Sequence, residues 1–415
     1  MNHDDFAALL TPEGQALLAG LRDYDPATEL ATATRLRREH PAALVSAALG
    51  QARLRGRAVA KFGERDAYRM YFTPGGGEMA TRASVAAYRA ERIAALGVRS
   101  LADLCCGIGG DAIALARAGI RVLAVDRDPL TAAVARANAE ALGLAELIEV
   151  READVTEVDT SGYDAVFLDP ARRGGRGRIF DPEAYSPPLS WAVETARAAR
   201  YAAIKIAPGI PHEAVPAEAE AEWISDTGDV KEAVLWFAAP LEPAPGTATT
   251  PAATTPATTP AVTPGAVRAT LLPGPHSLRT TDPLPDPETG PVGRYLYEPD
   301  GAVIRAHLVA EVAAGLGGRL IDPTIAYITA DELRATPYAT AYEITDVLPF
   351  GLKKLKALLR EREVGVLTVK KRGSAIEPEE LRKKVKPQGR NAATVFLTRV
   401  AGAPSMLIGF PAPAP

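Results

Sequence analysis

The chain has 415 residues, 47% of them hydrophobic and 24% charged, which predicts two or three globular domains with buried cores. Its net charge of −4 favours no class of partner, its two adjacent cysteines exclude a disulfide framework and a cysteine-based zinc site, and its five scattered histidines show no metal-ligand spacing. No apolar run approaches the ~18 residues of a membrane span, and the N-terminus is acidic where a signal peptide is basic, so we expect a cytoplasmic protein with no membrane contact and no metal.

The first part of the chain, residues 1–79, predicts a helical region. Apolar residues recur at helical spacing over 31–60, with a break expected near Pro41, and again over 81–96. Between these helices, residues 61–78 are rich in aromatic residues and glycine, and we expect a loop or a short strand there.

Residues 80–275 predict an α/β domain. Short apolar runs alternate with alanine-rich helical stretches, as in a parallel sheet with helices on both faces. Because the runs are apolar throughout, their strands should be buried on both sides. The predicted parallel strands are 101–105, 122–125, 148–150, 165–168 and 202–206. The predicted antiparallel strands are 222–227 and 230–237, and 267–272 is a further predicted strand.

A low-complexity insert interrupts this domain at residues 240–266. Of its 27 residues, 22 are proline, alanine or threonine, so it cannot bury enough apolar surface to offset the loss of chain entropy. We therefore expect disorder in this insert.

Residues 290–411 predict a small α+β domain with a basic segment. Between Lys353 and Arg390 there are 13 lysines or arginines and five glutamates, a local charge of +8 inside an acidic protein. Such a segment is either a solvated surface or a binding site for a polyanion. The helices expected here are 303–316, 352–362 and one that begins at Pro378, and the strands are 364–369, 394–400 and 406–410.

Residues 101–116, LADLCCGIGGDAIALA, predict a strand, a glycine turn and a helix. Gly107 and Gly109 allow backbone conformations and a close approach that a Cβ would block. The spacing of these glycines and of the alanine three positions later matches a dinucleotide fingerprint, in which the start of the helix holds a pyrophosphate. However, Asp103 and Asp111 flank the turn, and two carboxylates would repel a pyrophosphate and favour a ligand with an amino group.

This pattern, with the acidic Asp126 at the end of the next strand, resembles motif I of the class I S-adenosylmethionine-dependent methyltransferases, over roughly residues 80–272. The resemblance implies a doubly wound sheet of seven strands and S-adenosylmethionine as the cofactor. It further implies that Asp103 lies near the methionine amino group, that Asp126 accepts both ribose hydroxyls and that Asp154 meets the adenine amine. Alternatively, Asp126 is a helix cap and Asp154 is a turn residue. The other residues implied at the cofactor are Cys105, Gly107, Gly109, Gly110, Asp111, Arg127, Val155 and Asp169.

The acceptor is expected at the sequence Asp169-Pro170-Ala171-Arg172, because ligands bind at the carboxyl ends of parallel strands. This segment resembles the D-P-P-Y/F/W motif of base N-methyltransferases and the D-P-P-R motif of RNA 5-methyluridine methyltransferases, but no aromatic residue follows that could stack a flipped base. No cysteine occurs after residue 106, which leaves the covalent route to a pyrimidine carbon without a thiolate. We therefore predict direct transfer, with Asp169 and the Pro170 carbonyl accepting hydrogen bonds from an exocyclic amine.

Basic residues accompany this segment. Four arginines alternate with glycines, which suits either phosphate contact by a loop or a solvated surface. Lys205 ends the fifth strand and should face the same cleft; with Asp169 and Glu232 it resembles the Lys-Asp-Lys-Glu set of ribose 2′-O-methyltransferases, in which one lysine has no counterpart here. The four arginines are Arg172, Arg173, Arg176 and Arg178, and the catalytic candidates are Asp169, Pro170, Arg172 and Lys205.

The basic C-terminal domain resembles the THUMP-like domain that follows the methyltransferase domain in a family of bacterial proteins. The resemblance implies an RNA substrate, which we expect to be held by its phosphates and shape, because RNP-type aromatics and a KH-type G-x-x-G motif are missing. A second basic stretch, residues 53–72, interleaves arginines with Phe62, Tyr68, Tyr71 and Phe72, and either stacks bases or packs against the core.

These patterns predict a cytoplasmic enzyme that methylates RNA, at a base nitrogen of tRNA or rRNA. The alternatives are a catalytically silent RNA-binding protein of the same fold, a ribose 2′-O-methyltransferase, an NAD-dependent oxidoreductase, and a protein or small-molecule methyltransferase. The sequence predicts no oligomeric state.

Overall fold

The computed structural model of the chain describes residues 1–174, 177–178, 181–239 and 261–413, with no side-chain description for 173–180. The chain divides into two compact units, of which the first consists of Met1–Ala221 and Glu232–Gly265, and the second of Glu222–Lys231 and Ala266–Pro415. Residues 240–260 of the insert, which we expect to be disordered, lie outside the described ranges. The side chains of Arg173, Arg176 and Arg178 lie outside them as well.

The N-terminal part of the first unit is helical, as predicted, and a break occurs at Pro41. The segment predicted as loop or short strand contains two short helices instead. Thr73 caps the second of these, because its hydroxyl accepts a hydrogen bond from Gly76 N at 2.9 Å, and Pro74 fits the first helical position. The helices are α1 (His3–Leu10), α2 (Pro12–Ala19), α3 (Glu29–Leu36), α4 (Ala42–Phe62), α5 (Glu64–Ala67), α6 (Pro74–Met79) and α7 (Ala83–Ala95).

The predicted α/β sheet follows. Strands β1 to β5 are all parallel, and β7 runs antiparallel to β5. Thr227 and Gly228, both with positive φ, form the two-residue turn between β6 and β7. The order is β3-β2-β1-β4-β5-β7-β6, which confirms the doubly wound arrangement. The strands are β1 (Ser100–Leu104), β2 (Arg121–Asp126), β3 (Ile148–Glu152), β4 (Ala165–Leu168), β5 (Tyr201–Ile206), β6 (Glu220–Asp226) and β7 (Asp229–Ala238).

Helices connect the parallel strands, and the central strands are buried on both sides. Leu101 on β1, Val125 on β2 and Phe167 on β4 have no exposed surface. The connecting helices are α8 (Gly110–Arg117), α9 (Pro129–Leu142) and α10 (Leu189–Ala198). The carboxyl ends of β1, β2, β4 and β5 therefore meet at one edge, where the candidate residues lie.

The second unit contains residues on both sides of residue 290, and the predicted domain bounds stay predictions. Its strands β8 (Val267–Leu272) and β9 (His276–Thr280) pair antiparallel. Strand β8 has the bounds predicted for a strand at 267–272, whereas β9 was not predicted. The predicted helix 303–316 is two helices, α11 (Gly301–Arg305) and α12 (Val309–Leu316), because His307 takes a positive φ of 57° between them.

A sheet of seven strands forms the rest of this unit, in the order β11-β12-β10-β13-β16-β15-β14. Helices α13 (Leu352–Glu361) and α14 (Pro378–Val385) bury Leu355, Leu359 and Leu381 against it, in an α+β arrangement. Within the described part of the chain, no helix combines the length and apolarity needed to cross a bilayer. The strands are β10 (Tyr295–Pro299), β11 (Arg319–Asp322), β12 (Ile325–Ala330), β13 (Ala339–Pro349), β14 (Val364–Lys371), β15 (Asn391–Val400) and β16 (Ala403–Pro411).

Candidate active site

The turn after β1 has the backbone conformation that its glycines predict. Gly107 and Gly109 have φ values of 57° and 84°, in the left-handed region that disfavours residues with a Cβ. Cys105 also has a positive φ, of 65°, and Cys106 N donates to Val125 O at 2.9 Å, which fixes the turn against β2. Helix α8 begins at Gly110, directly after this turn, so the first amide groups of the helix have no partner within the helix itself.

Asp103, on β1, is a buried acid without a partner. Its side chain has no exposed surface, and neither carboxylate oxygen has a hydrogen-bond partner among the described residues. Burial raises the pKa of this carboxyl well above its usual range, and the nearby carboxylates of Asp111 and Asp169 raise it further. An unpaired buried acid is costly, so a cationic group bound beside Asp103 would offset that cost.

Asp126 ends β2 and accepts two backbone hydrogen bonds, from Gly107 N and from Asp128 N, each at 3.0 Å. It therefore joins the glycine turn to the start of α9. The alternative role of helix cap belongs to Asp128, whose side chain accepts from Thr131 N at 2.8 Å. Burial raises the pKa of Asp126, although the two backbone hydrogen bonds act to lower it. Arg127, the next residue, is exposed.

Asp154, beyond β3, caps a single turn of 3-10 helix that contains the buried Val155. Its Oδ1 accepts from Thr156 N at 3.0 Å and from the Thr156 hydroxyl at 2.7 Å. The hydrogen bond from the amide, and to a smaller extent that from the hydroxyl, lowers the pKa of this exposed carboxyl. The turn-residue alternative accounts for these contacts, and the adenine contact of Asp154 stays a prediction.

The acceptor candidates Asp169 and Lys205 form an ion pair. Lys205 Nζ lies 2.5 Å from Asp169 Oδ2, and the lysine is only 3% exposed. Asp169 N donates to Leu104 O at 3.1 Å, which fixes the acid beside the end of β1. Pro170 is buried and Arg172 is half-buried. At the carboxyl end of β5, Lys205 therefore binds the carboxylate of Asp169 and fixes its position.

Two residues that the sequence analysis did not name, Thr81 and Arg89, complete this network. The Thr81 hydroxyl accepts from Lys205 Nζ at 2.8 Å and donates to Asp111 Oδ2 at 2.7 Å. The other oxygen of Asp111 accepts from Arg89, a buried residue of α7 that also pairs with Glu232. The charge of Asp111 is therefore compensated within the protein, and Asp103 is left as the acid that can meet a ligand amine.

The same contacts bear on the resemblance to ribose 2′-O-methyltransferases. Glu232 is 2% exposed and binds Arg89, whose guanidinium stacks over Phe167 at 4.6 Å. Lys205 hydrogen-bonds to Asp169 and Thr81. Glu232 therefore acts in this structure as a partner of α7, which is a structural role.

The thiols of Cys105 and Cys106 are poor nucleophiles here. Both are free, and burial raises the pKa of both, with further increases from neighbouring aspartates. In the described ranges, no group of three histidine, cysteine, aspartate or glutamate side chains could hold a metal ion. The site therefore has the means to orient polar groups, and neither of its two thiols is a reactive nucleophile.

In the second unit, the basic segment 353–390 divides into paired and unpaired residues. Seven of its cations lie within 4 Å of a carboxylate, for example Lys384 with Glu380 at 2.6 Å and Arg390 with Glu363 at 3.1 Å. The other six have no such partner among the described residues and are exposed. They lie on α13 and at the end of α14, and they are Lys353, Lys354, Lys356, Arg360, Lys383 and Lys386.

Family models match three separate parts of the chain. A domain of unknown function (DUF8688) matches residues 2–58, a methyltransferase domain matches residues 101–170, and a THUMP-like domain matches residues 339–411. The second of these spans the glycine turn, Asp126 and Asp169-Pro170, and the third spans the unpaired basic residues.

Two relatives and one solved structure match most of the chain. Proteins of Mycobacterium tuberculosis strains CDC 1551 and H37Rv, each described as an uncharacterized S-adenosylmethionine-dependent methyltransferase, are 34% identical over 358 residues, which is 84% of this chain and 90% of each relative. A crystal structure from Porphyromonas gingivalis W83, described as that of a candidate methyltransferase, has a TM-score of 0.74 at 21% identity and covers 96% of this chain and 98% of its own. It shows that the fold is shared.

Proposed function

Because this chain belongs to the S-adenosylmethionine-dependent methyltransferases, we propose that it transfers a methyl group to RNA, at a base nitrogen of tRNA or rRNA. The observation that carries the proposal is the ion pair between the buried Lys205 and the half-buried Asp169 at the carboxyl ends of β4 and β5, beside the unpartnered Asp103. Membership of this family argues against the alternative that the chain is an NAD-dependent oxidoreductase.

The residues at the glycine turn fit the cofactor of this family. The buried, unpartnered carboxylate of Asp103 would receive the methionine amino group, and the backbone of Gly107–Gly110 leaves room for the ligand. Asp126 would accept the ribose hydroxyls with the help of Arg127, and Asp154 and Val155 would meet the adenine. S-adenosylmethionine, when bound, supplies an electrophilic methyl group on a positively charged sulfur.

At the acceptor end, this chain orients and does not react covalently. Asp169 and the Pro170 carbonyl would accept hydrogen bonds from an exocyclic amine, which aims the nitrogen lone pair. Lys205 holds the Asp169 carboxylate in one position and is itself held by the Thr81 hydroxyl, which accepts a hydrogen bond from it. Since both thiols are kept protonated by burial, transfer without a covalent enzyme adduct is the chemistry that these side chains support.

Two observations in the second unit support RNA as the substrate. One is the match to a THUMP-like domain over residues 339–411. The other is the set of six unpaired cations on α13 and α14, in a chain whose net charge is −4. Cations without acidic partners are free to neutralise phosphates, and such binding is sensitive to salt. A protein or small-molecule methyltransferase would have no use for this surface.

The proposal is tested by incubating the full chain with methyl-labelled S-adenosylmethionine and bulk RNA from a strain that lacks the gene. We expect label that is sensitive to ribonuclease and resistant to protease, and we expect none with Lys205→Met. Label in protein, or in small molecules only, would contradict RNA as the substrate. RNA that binds in a mobility-shift assay but gains no label would favour the catalytically silent alternative.

A further inference from the structure

A cavity of about 270 Å³ lies in the N-terminal helical part, among α4, α5 and the segment that follows α2. Its lining includes two tyrosines, three arginines and one glycine; they are Tyr24, Tyr68, Arg22, Arg53, Arg57 and Gly56. None of these residues belongs to the candidate active site. The cavity combines aromatic rings with guanidinium groups, which are the groups that proteins use to bind single-stranded nucleic acid.

Gly56 has no evident role in the fold. It occupies the interior of α4, where glycine costs about 1 kcal/mol relative to alanine. A Cβ added at Gly56 would meet nothing within 4 Å, so no neighbour in the described structure requires its absence. The residue does line the cavity, and the missing side chain leaves a flat stretch of helix against which a planar ring could lie.

The charges of the cavity are unequally compensated. Arg53 lies 3.1 Å from Glu29, which also accepts from the Tyr24 hydroxyl at 2.7 Å, and Arg22 lies 3.4 Å from Glu64. Arg57 is exposed, and among the described residues no carboxylate lies within 4 Å of it. One guanidinium is therefore free to meet an anion.

The tyrosines supply ring faces at the cavity wall. Arg22 already stacks over the Tyr68 ring at 5.2 Å. By contrast, the neighbouring aromatic residues that the sequence analysis considered for base stacking, Phe62, Tyr71 and Phe72, are buried and do not line this cavity. Of the four aromatic residues in that basic stretch, Tyr68 is the one that lines this cavity.

We propose that this cavity binds one nucleotide of single-stranded RNA, with its base against Tyr24, Tyr68 and the Gly56 face of α4 and its phosphate on Arg57. The choice of RNA as the source of the nucleotide rests on the proposed function, whereas recognition of a base and a phosphate rests on the cavity alone. The site gives the N-terminal part a role in holding substrate RNA, separate from methyl transfer.

Photocrosslinking locates the bound base. The full chain is mixed with a short oligouridylate that contains 5-iodouridine, irradiated, and mapped by mass spectrometry. We expect an adduct on Tyr68 or Tyr24 that adenosine monophosphate suppresses more effectively than adenosine, because the phosphate contributes. Adducts found only elsewhere in the chain would overturn the proposal.

Matched variants measure the contribution of the cavity. By fluorescence anisotropy with a labelled oligoadenylate, Gly56→Gln should weaken binding at least about fivefold, since it removes a stacking surface. Arg57→Gln should weaken binding about fivefold and lower the salt slope by about 0.7, the loss of one phosphate contact on a single strand. Gly50→Gln is the control, because Gly50 lies in the same helix, also has nothing within 4 Å of an added Cβ, and does not line the cavity.

The outcomes separate this proposal from the proposed function. If Gly56→Gln and Arg57→Gln bind as tightly as Gly50→Gln, the cavity is not a nucleotide site, whether or not RNA is methylated. If they weaken binding while RNA gains no label from S-adenosylmethionine, the cavity holds nucleotides and the proposed reaction is wrong. Should Gly56→Gln fold poorly by circular dichroism, Arg57→Gln still decides, since the side chain that it replaces is exposed.

Discussion

Replacing Asp103 by asparagine should stabilise the ligand-free protein and weaken its cofactor binding. Asp103 is fully buried, and neither of its oxygens has a hydrogen-bond partner in the described structure. Asparagine has nearly the same shape but carries no charge. The substitution therefore removes the cost of an unpaired buried carboxylate and, with it, the acceptor for a ligand ammonium group.

The expected size follows from that burial. Leaving a buried polar group without a partner costs about 1–3 kcal/mol, and an unpaired buried charge costs several kcal/mol. The amide of asparagine is also without a partner, so the substitution removes only the excess that comes from the charge. The free energy of unfolding of Asp103→Asn should thus rise by about 1–3 kcal/mol without cofactor, or roughly 2–12 °C in melting temperature for a domain of this size. A lost charge-assisted hydrogen bond costs about 1.5–3 kcal/mol of binding, so the affinity for S-adenosylhomocysteine should fall by about 10–150-fold.

The pH dependence has a definite sign. The folded-state pKa of Asp103 is raised above its unfolded value, so the folded chain holds the proton more tightly. Asp103 does not destabilise the fold at a pH below its pKa in the unfolded chain, which is near 4. The destabilisation grows as the pH rises from there toward the pKa of Asp103 in the folded chain. The advantage of Asp103→Asn over the wild type should therefore grow over that interval and be constant above it.

Asp164→Asn is the matched control. This acid precedes β4 at the opposite edge of the sheet, and its Oδ2 accepts from Arg99 N at 2.9 Å and from Ser100 N at 3.0 Å. The hydrogen bond from Arg99 N, with that from Ser100, lowers the pKa of Asp164. Its stabilisation is present above the unfolded pKa and is lost as pH falls through the folded one, so the variant should destabilise the fold and leave cofactor binding unchanged.

Thermal denaturation with and without S-adenosylhomocysteine measures both effects. At 100 times its dissociation constant, the ligand should stabilise the wild type by about 2.7 kcal/mol. At the same concentration, Asp103→Asn should begin at a higher melting temperature and shift little. A variant that is less stable than the wild type without ligand, and that shifts as far with it, would refute the reasoning about this buried acid.

Three further predictions concern the other sites. Asp126→Ala should abolish binding of S-adenosylmethionine by calorimetry, because it removes the proposed ribose acceptor together with the hydrogen bond that holds Gly107. Lys205→Met should lower kcat at least about 100-fold and keep cofactor affinity, because the acid that it holds is no longer fixed. Lys383→Gln combined with Lys386→Gln should lower the salt slope of RNA binding by about two, measured by anisotropy, and Lys384→Gln should lower it less, since Lys384 is paired on its own helix.

Each of these predictions has a contrary result. Unchanged calorimetric affinity for Asp126→Ala would remove that residue from the cofactor site. A Lys205→Met variant with normal kcat would show that its pairing with Asp169 serves the fold alone. Equal salt slopes for the double variant and Lys384→Gln would remove the end of α14 from the RNA interface.

The α/β fold could be predicted because its signals are local. The run Ala165–Leu168 is apolar at every position, since a central parallel strand is buried on both faces, and the strand has the predicted bounds. The same local reasoning misjudged Thr73–Gly77, where glycines suggested a loop. There the hydroxyl of Thr73 and the proline after it start a helix in spite of the glycines. The break at His307 has no glycine or proline to announce it.

The contacts of the candidate site could be predicted only in part. The glycine turn and Asp126 are close in sequence and share a motif, which predicted that they lie together, and Gly107 N donates to Asp126. Thr81 and Arg89 lie before the motif, and their partners Asp111 and Glu232 are distant from them along the chain. Their contacts depend on how α7 packs against the sheet, which no local pattern reports.

The most direct test of the account is a comparison of RNA nucleosides by mass spectrometry from cells with and without the gene. The account predicts one methylated nucleoside that disappears without the gene, returns with the wild type but not with Lys205→Met, and carries the added methyl mass on the base fragment. A methyl mass on the ribose fragment would contradict transfer to a base nitrogen. Identical nucleoside profiles in the two strains would contradict the claim that this protein modifies RNA.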